Sequence, residues 1–593
     1  MFSYIFMKIL ESRPHRYDWG IDFLTKGQAG KVKEHIVANF VRPGMAVLDV
    51  GCGTGDLAVR AARAGAFVIG FDISEGMLTV AQERVKKNGL ENKVVLHHAA
   101  VVEMDRLFDE KSFDLITCTL VMSELYAEER KWALRQLFRI LKSDGKLLVV
   151  SEARPKRFLK RTVYCALRFP LALITYLICQ TGTKPVRNMA NEMRRAGFEI
   201  TLERYSFLES FVTVVAKRSK FTQPSAVAQA IKPDQDRSKI KSLFDFCGRW
   251  FPNPVVPGLR RIGTPGRDSP VVVTGNFHLT VRRVEKALKS QNCYLLVVQS
   301  KGINVWCASA GGEMNTHSII SALKTSEIAD LVDHRELILP QLSAPGINTK
   351  HLKGVSGWNG KWGPIYASSL SEFLANGHTK NQEQRSVRFD LPFRLEMLIA
   401  MNALLWLFFF AIALAIHPAW AVVMTLVFWG AGLVLYAGYY LLPFKSGWSK
   451  ALMIAIFTAA VFIGISEHAA GSPWHYAGWM IFTSLVILSI GFDLKGIVGD
   501  QASEAEAFLH KLGFASFGHL FRAKSVHRGF ITQDKSKCVN CNTCGMVCPV
   551  NVYGIAEPKK DIIIVDDSAC LKCNACVMQC PQRALSLNGG NGR

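Results

Sequence analysis

The sequence predicts a multidomain chain that combines α/β domains with an all-α membrane segment and ends in a small cysteine-rich domain. Three observations lead to this fold class. A short strand breaks into a glycine-rich loop near residue 50, four apolar stretches crowd residues 395–493, and eight of the fifteen cysteines lie beyond residue 530. At 593 residues the chain has room for about three or four domains.

Composition supports the membrane segment. Apolar residues make up 49% of the chain and the mean hydropathy is +0.16, both high for a soluble protein. The formal charge of +23 is attributed to basic flanks beside membrane helices, and we expect no nucleic-acid partner. The cysteines outside the C-terminal region show no pairing rhythm, which favours a reducing cytoplasm.

The first domain carries a nucleotide-type loop. Strand Met45–Val50 runs into the loop Asp49–Gly55 and a helix over Asp56–Ala64, and a second strand, Phe67–Phe71, ends at Asp72. Glycines there let a backbone approach a ligand, and a carboxylate after the second strand can accept both ribose hydroxyls. A dinucleotide-binding turn is the alternative interpretation of the same loop.

The order of the following elements separates these alternatives. A helix over Ser74–Asn88 comes directly after Asp72, and strands at Phe113–Cys118 and Leu141–Leu147 follow in turn. With VLDVGCGTG as first motif, residues 15–215 resemble a class I S-adenosylmethionine-dependent methyltransferase with a Rossmann-like fold. The family often has an Asp after its third strand, where this chain reads His97-His-Ala-Ala100.

This resemblance implies a site for S-adenosylmethionine. Four residues of the loop would surround the methionine part: Asp49, Gly51, Gly53 and Gly55. Asp72 would hold the ribose, Ile73 would lie against the adenine, and Tyr17 would close the pocket near the sulfonium.

Residues 268–375 read as a second α/β domain with one unusual run, Asn304–Ala308, which we interpret as an apolar strand end. This run meets Gly311-Gly312, and a helix is expected to follow. A thiolate such as that of Cys307 is stabilised at a helix N-terminus by the unpaired backbone amides and the helix dipole. A small buried core residue is the alternative interpretation of Cys307.

Three runs in this domain, Thr274–Thr280, Asn304–Ala308 and Asp333–Leu342, resemble the corrinoid-binding protein of mercury methylation. That family is related to the large corrinoid iron–sulfur subunit of the acetyl-CoA pathway. The resemblance implies that Cys307 is the lower axial ligand of a corrinoid cobalt. Five residues would bind the corrinoid: Thr274, Asn304, Trp306, Gln341 and Gly346. The family motif continues to a Lys where this chain has Gly311.

The membrane segment is expected to contain four transmembrane helices, at Leu395–Ile416, Ala419–Leu442, Ala451–Ile465 and Trp474–Phe492. Lys and Arg lie before the first stretch, between the second and third stretches, and after the fourth. The other two connections contain neither residue. The positive-inside rule then predicts a multi-pass protein of the cytoplasmic membrane with its N- and C-terminal domains in the cytoplasm.

The C-terminal cysteines form two runs of identical spacing, each followed by proline. Three thiolates at this spacing hold one iron–sulfur cube, and the fourth reaches the other cube. The spacing therefore predicts a bacterial-type two-cluster ferredoxin with two 4Fe–4S clusters, against the alternative of zinc sites. One cluster would use Cys538, Cys541, Cys544 and Cys580, and the other Cys570, Cys573, Cys576 and Cys548.

This tail also resembles the small ferredoxin partner of the mercury-methylation protein. That partner usually ends in a further cysteine pair, whereas no cysteine follows Cys580 here. Exposed clusters favour an anaerobe. The predicted domains are a methyltransferase domain, a linker, a corrinoid-binding domain, a transmembrane domain, a connector and a ferredoxin domain, over 1–217, 218–267, 268–390, 391–500, 501–528 and 529–593.

Together these features predict a corrinoid-dependent methyltransferase. S-adenosylmethionine would methylate the cobalt, kept as Co(I) by the ferredoxin and its upstream electron donor, and the methyl would pass to a small molecule or a metal ion such as Hg(II). One alternative is a methyl carrier fed by methylfolate, with the first domain methylating something else. The other is a membrane-tethered redox or sensing scaffold.

Overall fold

A computed structural model shows two compact units, Met1–Gln229 with Ile319–Leu331 and Ala230–Ser318 with Val332–Arg593. Helix α9 (Thr316–Ser326) begins in the second unit and ends in the first. The structure describes residues 15, 17–19, 27–153, 162, 166, 186, 188–206, 209, 211–219, 243, 246–247, 252–388, 390–416, 418–444, 447–468, 473–492, 530–557, 560–567, 570–571 and 573–588.

The first unit is built on a seven-stranded sheet of order β3-β2-β1-β4-β5-β7-β6. Its strands are β1 Ala46–Val50, β2 Phe67–Asp72, β3 Val94–His98, β4 Phe113–Thr119, β5 Leu141–Glu152, β6 Phe198–Ser206 and β7 Phe211–Arg218. Its helices are α1 Gln28–Phe40, α2 Asp56–Arg63, α3 Glu75–Lys87, α4 Met104–Leu107, α5 Ala127–Ile140 and α6 Met189–Arg195, with 3-10 turns at Val101–Glu103, Val121–Ser123 and Ile328–Asp330.

Strands β1 to β5 pair in parallel, and β7 runs antiparallel to both β5 and β6. Central strands of such a sheet are apolar because helices cover both faces. Strand β1 is buried from Val47 onward, and α2 packs five buried residues behind it. The predicted Rossmann-like order of strand, glycine loop and helix is confirmed, with the carboxyl ends of β1 and β2 side by side.

The second unit contains a five-stranded sheet of order β12-β11-β9-β10-β8. Its strands are β8 Gly258–Ile262, β9 Val271–Gly275, β10 Cys293–Val298, β11 Glu336–Leu339 and β12 Asn359–Trp362. The helices beside it are α7 His278–Ala287, α8 Val305–Ala310, α10 Thr349–Ser356, α11 Leu370–Ala375 and α12 Gln382–Arg385, with 3-10 turns at Gln341–Ser343 and Ala367–Ser369.

One predicted boundary is wrong here. Strand β8 lies inside the range expected to be a linker, and it pairs antiparallel with β10. The linker is predicted because Arg218–Pro270 is rich in Pro, Ser and charged residues, and β8 itself carries two arginines. Arg260 is nevertheless only 3% exposed, because it forms an ion pair with Glu285 of α7.

The apolar region folds into helices α13 Leu391–Ile416, α14 Pro418–Thr425, a π-helical turn Leu426–Ala431, α15 Gly432–Ala437, α16 Gly447–His468 and α17 Pro473–Phe492. In the part of the chain that the structure describes, two helical segments are long and apolar enough to cross a membrane, Leu391–Ile416 and Trp420–Ala437. Two shorter apolar stretches lie at Ser449–Val461 and Ala477–Leu488. The predicted arrangement of four spans stays a prediction.

The cysteine-rich domain has two short antiparallel ribbons and two single-turn helices. The strands are β13 Phe530–Gln533, β14 Tyr553–Ala556, β15 Asp561–Ile564 and β16 Leu585–Asn588, and the helices are α18 Thr543–Val547 and α19 Ala575–Gln579. Strand β13 pairs with β16 and β14 with β15. The predicted connector over 501–528 lies outside the described residues.

Candidate functional site

The glycine loop between β1 and α2 is shaped by close contacts on one side and open space on the other. Gly51, Gly53 and Gly55 have φ values of 65°, 54° and 74°, a region that side chains disfavour. A Cβ on Gly51 would lie 2.2 Å from Val121 Cγ2, whereas a Cβ on Gly53 would have nothing within 4 Å. Gly53 therefore leaves room for a ligand to approach its backbone.

The Asp72 carboxylate fixes this loop to the end of β2. Oδ2 accepts a hydrogen bond from Gly53 N at 2.9 Å, and Oδ1 accepts one from Ser74 N at 2.8 Å. A carboxylate oxygen can accept more than one bond, so further donors can still be bound. The predicted role of Asp72 at a ribose stays a prediction.

Asp49 is the buried acid of the loop, with 3% of its surface exposed. Its Oδ1 accepts a hydrogen bond from Thr117 Oγ1 at 2.8 Å, yet burial raises the pKa of Asp49 to about 7. Lys33 opposes this shift, while Asp72 and Asp56 add to it. A cation bound beside Asp49 would favour its charged form.

Sequence reasoning missed three residues beside this loop, namely Asp18, Arg84 and His98. Asp18, next to the half-buried Tyr17, accepts a hydrogen bond from Thr54 Oγ1 at 2.9 Å and forms an ion pair with Arg84. His98 Nε2 lies 3.0 Å from the carbonyl oxygen of Ile73, whose side chain is 55% exposed. These partners are distant in sequence, so no local pattern could reveal them.

The run around Cys307 is a helix, so its prediction as a strand end is wrong. Asn304 is the N-cap of α8, and its Oδ1 accepts a hydrogen bond from Cys307 N at 2.9 Å. Asparagine strongly favours this position, which outweighs the apolar run that looks like a strand. The other amide atom, Nδ2, donates to Cys307 Sγ at 3.3 Å.

A cavity of about 680 Å³ lies beside this helix. Three of the predicted corrinoid-binding residues, Thr274, Asn304 and Trp306, line it, together with Leu342 and the start of α13. Trp306 is 7% exposed, and among the described residues its Nε1 has no hydrogen-bond partner. A buried indole N–H at a large cavity is suited to a ligand that carries hydrogen-bond acceptors.

Gln341 and Gly346 have other neighbours. Gln341 Nε2 donates to Arg385 O at 2.9 Å, and its Oε1 accepts from Lys380 Nζ at 2.7 Å. A Cβ on Gly346 would lie 2.4 Å from Met314 O, so this glycine allows two backbone segments to pack closely. Their contact with a bound corrinoid stays a prediction.

The C-terminal cysteines surround two separate cavities. The first cluster site is lined by Cys538, Cys541, Cys544 and Cys580, and the second cluster site by Cys548, Cys570, Cys573 and Cys576. Each cavity thus takes three cysteines from one run and the fourth from the other. In the described residues no three His, Cys, Asp or Glu side chains are placed to hold a single metal ion. Binding of a 4Fe–4S cluster in each cavity stays a prediction.

Comparison with known proteins begins with the first unit. A family described as a methyltransferase domain matches residues 42–170. The demethylmenaquinone methyltransferase of Symbiobacterium thermophilum is 32% identical over 184 residues, which cover 30% of this chain and 70% of that enzyme. The chain belongs to the methyltransferase family. A solved structure, magnesium protoporphyrin IX methyltransferase from Synechocystis PCC 6803, is 26% identical with a TM-score of 0.26, covering 32% of this chain and 82% of that one.

Beyond the methyltransferase domain, two further families match. The CO dehydrogenase/acetyl-CoA synthase delta subunit family matches residues 249–374, and a 4Fe-4S dicluster domain matches residues 537–585. The acetyl-CoA decarbonylase/synthase complex subunit gamma of Methanopyrus kandleri is 37% identical over 125 residues, 21% of this chain. The chain spans only 27% of the length of that subunit. The predicted fusion of methyltransferase, corrinoid-binding-type and ferredoxin domains is confirmed at this level.

Proposed function

We propose that this methyltransferase moves a methyl group from S-adenosylmethionine to an electrophilic acceptor through a corrinoid held at Cys307. The observation that carries the proposal is the 680 Å³ cavity, which is lined by Asn304 and Trp306. Cys307 follows them directly on α8 but does not itself line the cavity. A bound corrinoid supplies a cobalt centre that can accept and release a methyl group as its oxidation state changes.

The residues of the first unit bind the methyl donor. The backbone at Gly53 leaves open space, Asp72 is positioned to accept hydrogen bonds from a ribose, and Asp49 can become charged beside the sulfonium. We infer no general base for this step, because a reduced metal centre is already a strong nucleophile.

With a corrinoid bound, Cys307 Sγ would be a ligand of its cobalt, and the hydrogen bond from Asn304 Nδ2 would hold that sulfur in place. Thr274 and Trp306 line the cavity, and the Trp306 N–H would be available to donate to an acceptor of the bound group. Two 4Fe–4S clusters in the ferredoxin domain deliver electrons from an external donor, as the paired cysteine cavities support.

For the acceptor we propose a soft metal or metalloid ion such as Hg(II), because a thiolate ligand makes cobalt electron-rich and favours release of methyl to an electrophile. One departure from the mercury-methylation pattern, Gly311 at the position of the family's Lys, weighs against mercury as the sole acceptor.

The relatives favour a second candidate, a methyl carrier of one-carbon metabolism fed by methylfolate. The gamma subunit of Methanopyrus kandleri belongs by name to an acetyl-CoA decarbonylase/synthase complex. In that case the methyltransferase domain acts on another substrate, and the corrinoid site receives its methyl from a pterin.

The deciding experiment uses anaerobically purified full-length protein, with iron, cobalt and corrinoid analysis and methyl-labelled donors. Labelled S-adenosylmethionine should transfer its label to the protein-bound corrinoid, and labelled methylfolate should not. The reverse result would establish the carrier function. Cys307→Ala should abolish the thiolate-ligated cobalt spectrum, whereas Cys293→Ala, another cysteine of the same domain, should keep it.

We also propose that four helices anchor the protein in the cytoplasmic membrane with both ends in the cytoplasm. The two candidate spans support this arrangement. Reporter fusions after residue 390 and after residue 500 should both report a cytoplasmic location, and opposite locations would require an odd number of spans.

A further inference from the structure

The ferredoxin domain contacts the Cys307 region asymmetrically. A single apolar cluster joins the two, and it is formed by Trp306, Ala344, Val547, Cys573 and Ala575 with the partly buried Cys307, Leu342, Trp362, Leu571 and Cys576. Four of these residues, Leu571, Cys573, Ala575 and Cys576, line the second cluster site. Among the described residues, no cysteine of the first cluster site belongs to this apolar cluster.

A buried glutamine fixes this contact. Gln579, at the end of α19, is 7% exposed, and its Nε2 donates to the carbonyl oxygens of Ala344, at 2.9 Å, and Ile347. Its Oε1 accepts a hydrogen bond from Thr349 Oγ1 at 3.1 Å. Because both ends of the amide are satisfied, the glutamine specifies how α19 meets the loop after β11.

The prolines that close the two cysteine runs give two more fixed points. Pro549 O accepts a hydrogen bond from Val387 N at 2.8 Å, and Pro581 O accepts one from Lys350 Nζ at 2.8 Å. Both acceptors immediately follow a cluster cysteine. The orientation of both cysteine runs toward the corrinoid-binding-type domain is therefore defined by direct hydrogen bonds.

The first cluster site differs in its exposure. Cys541 is exposed and the neighbouring Val539 is 58% exposed, whereas Cys548 and Cys573 of the second cluster site are 6% and 8% exposed. An exposed cluster can be approached by an external protein, and a buried one cannot.

We propose that electrons enter at the first cluster site and leave from the second, with the Trp306 indole between the second cluster site and the corrinoid. Trp306 fits this position because it packs in the apolar cluster with Cys573 and also lines the 680 Å³ cavity. The inference rests on the proposed function, since it assumes a corrinoid at Cys307.

Each transfer moves one electron and no atoms. An external low-potential one-electron carrier is oxidised as the first cluster is reduced, the first cluster then reduces the second, and the second is reoxidised as the cobalt centre is reduced by one electron. No proton or leaving group is needed at any stage.

The test compares Cys541→Ser with Cys573→Ser in anaerobically reconstituted full-length protein. Microwave-power saturation of the Co(II) paramagnetic signal measures how close a reduced, paramagnetic cluster lies. Cys541→Ser should keep the fast relaxation of the Co(II) signal after reduction with dithionite, and Cys573→Ser should lose it. The reverse pattern would overturn the proposed order of the two clusters.

A second pair of variants keeps the test informative if a cysteine variant fails to fold. Gln579→Leu removes the hydrogen bonds at the contact, and the control Gln382→Leu changes an exposed glutamine of α12 that lines neither cluster site. With iron content unchanged in both, Gln579→Leu alone should slow Co(II) relaxation and increase hydrogen exchange across residues 344–350. Wild-type behaviour of Gln579→Leu in both measurements would overturn the proposal that Gln579 fixes this contact.

Failure of the proposed function can be distinguished from failure of the electron route. If labelled S-adenosylmethionine delivers no methyl but the relaxation pattern holds, the methyl donor assignment fails and the electron route stands. If methyl transfer occurs and the relaxation pattern is reversed, only the electron route fails.

Discussion

Asn304 bonds Cys307 twice, with Oδ1 accepting from its backbone amide and Nδ2 donating to its sulfur. The first bond caps helix α8, and the second acts on the atom proposed to bind cobalt. Because one side chain performs both tasks, substitutions at Asn304 can separate helix stability from metal ligation.

Asn304→Asp should keep the cap and lose the donor to sulfur, while placing a negative charge beside a thiolate. We expect near wild-type thermal unfolding of the corrinoid-free protein but a weaker retention of cobalt. Asn304→Ala should also lose about 1 kcal/mol of stability, the usual value of an N-cap. Cobalt stoichiometry after gel filtration measures the first effect and calorimetry the second. Equal cobalt retention in both variants and the wild type would contradict the role of Nδ2.

The pKa of Asp49, raised by burial to about 7, predicts pH-dependent binding of S-adenosylmethionine. The free protein holds a proton on Asp49 below that pH, and the cationic sulfonium favours its loss. Affinity should therefore rise with pH and be about tenfold higher at pH 8 than at pH 6. Calorimetric titration at both pH values measures this difference. Asp49→Asn should bind with little pH dependence, and a flat wild-type profile would exclude Asp49 as the responsible group.

Gly51 and Gly53 offer a matched pair in the loop. Both have positive φ, so Ala should cost about 1–2 kcal/mol of stability at either position. Gly51→Ala should cost more, because its Cβ would collide with Val121. Gly53→Ala should also weaken binding of S-adenosylhomocysteine by more than its effect on stability explains. Its Cβ would occupy the open space that we expect the ligand to fill. Thermal shift with and without ligand separates the two effects.

Arg394, near the start of α13, is 7% exposed and donates to the carbonyl oxygens of Tyr436, at 2.9 Å, and Ala437, at 3.0 Å. These carbonyls end helix α15, where a positive charge is favourable. Arg394→Gln should lower the stability of detergent-solubilised protein by about 2 kcal/mol. The exposed Arg388→Gln is the control and should cost less. Similar melting temperatures for both variants would contradict the capping role.

The motifs whose residues lie close together in the sequence could be predicted from the spacing of those residues. The glycine loop before α2 and the two cysteine runs are patterns of a few residues. The loop glycines have positive φ, and each predicted set of four cysteines lines one cavity. The four apolar residues after Asn304, by contrast, do not distinguish a strand from a helix, and the predicted strand end at Cys307 is wrong for that reason.

The contacts that connect distant parts of the chain could not be predicted. Gln579 and Ala344 are 235 residues apart, and Arg84 and Asp18 are 66 apart. Gln579 occupies a spacer position of the second cysteine run and Arg84 belongs to no motif, so both side chains would be expected on a solvated surface. Only the folded backbone brings their partners within reach.

The hydrogen bonds made by Gln579, Pro549 and Pro581 join two domains of one polypeptide. Domains of one polypeptide meet at an effective concentration that is set by the length and stiffness of the chain between them. A contact too weak to hold two separate proteins together in a cell can thus remain formed in this chain. Fusion would let the interface stay small and open rapidly, without a search for a partner after each opening.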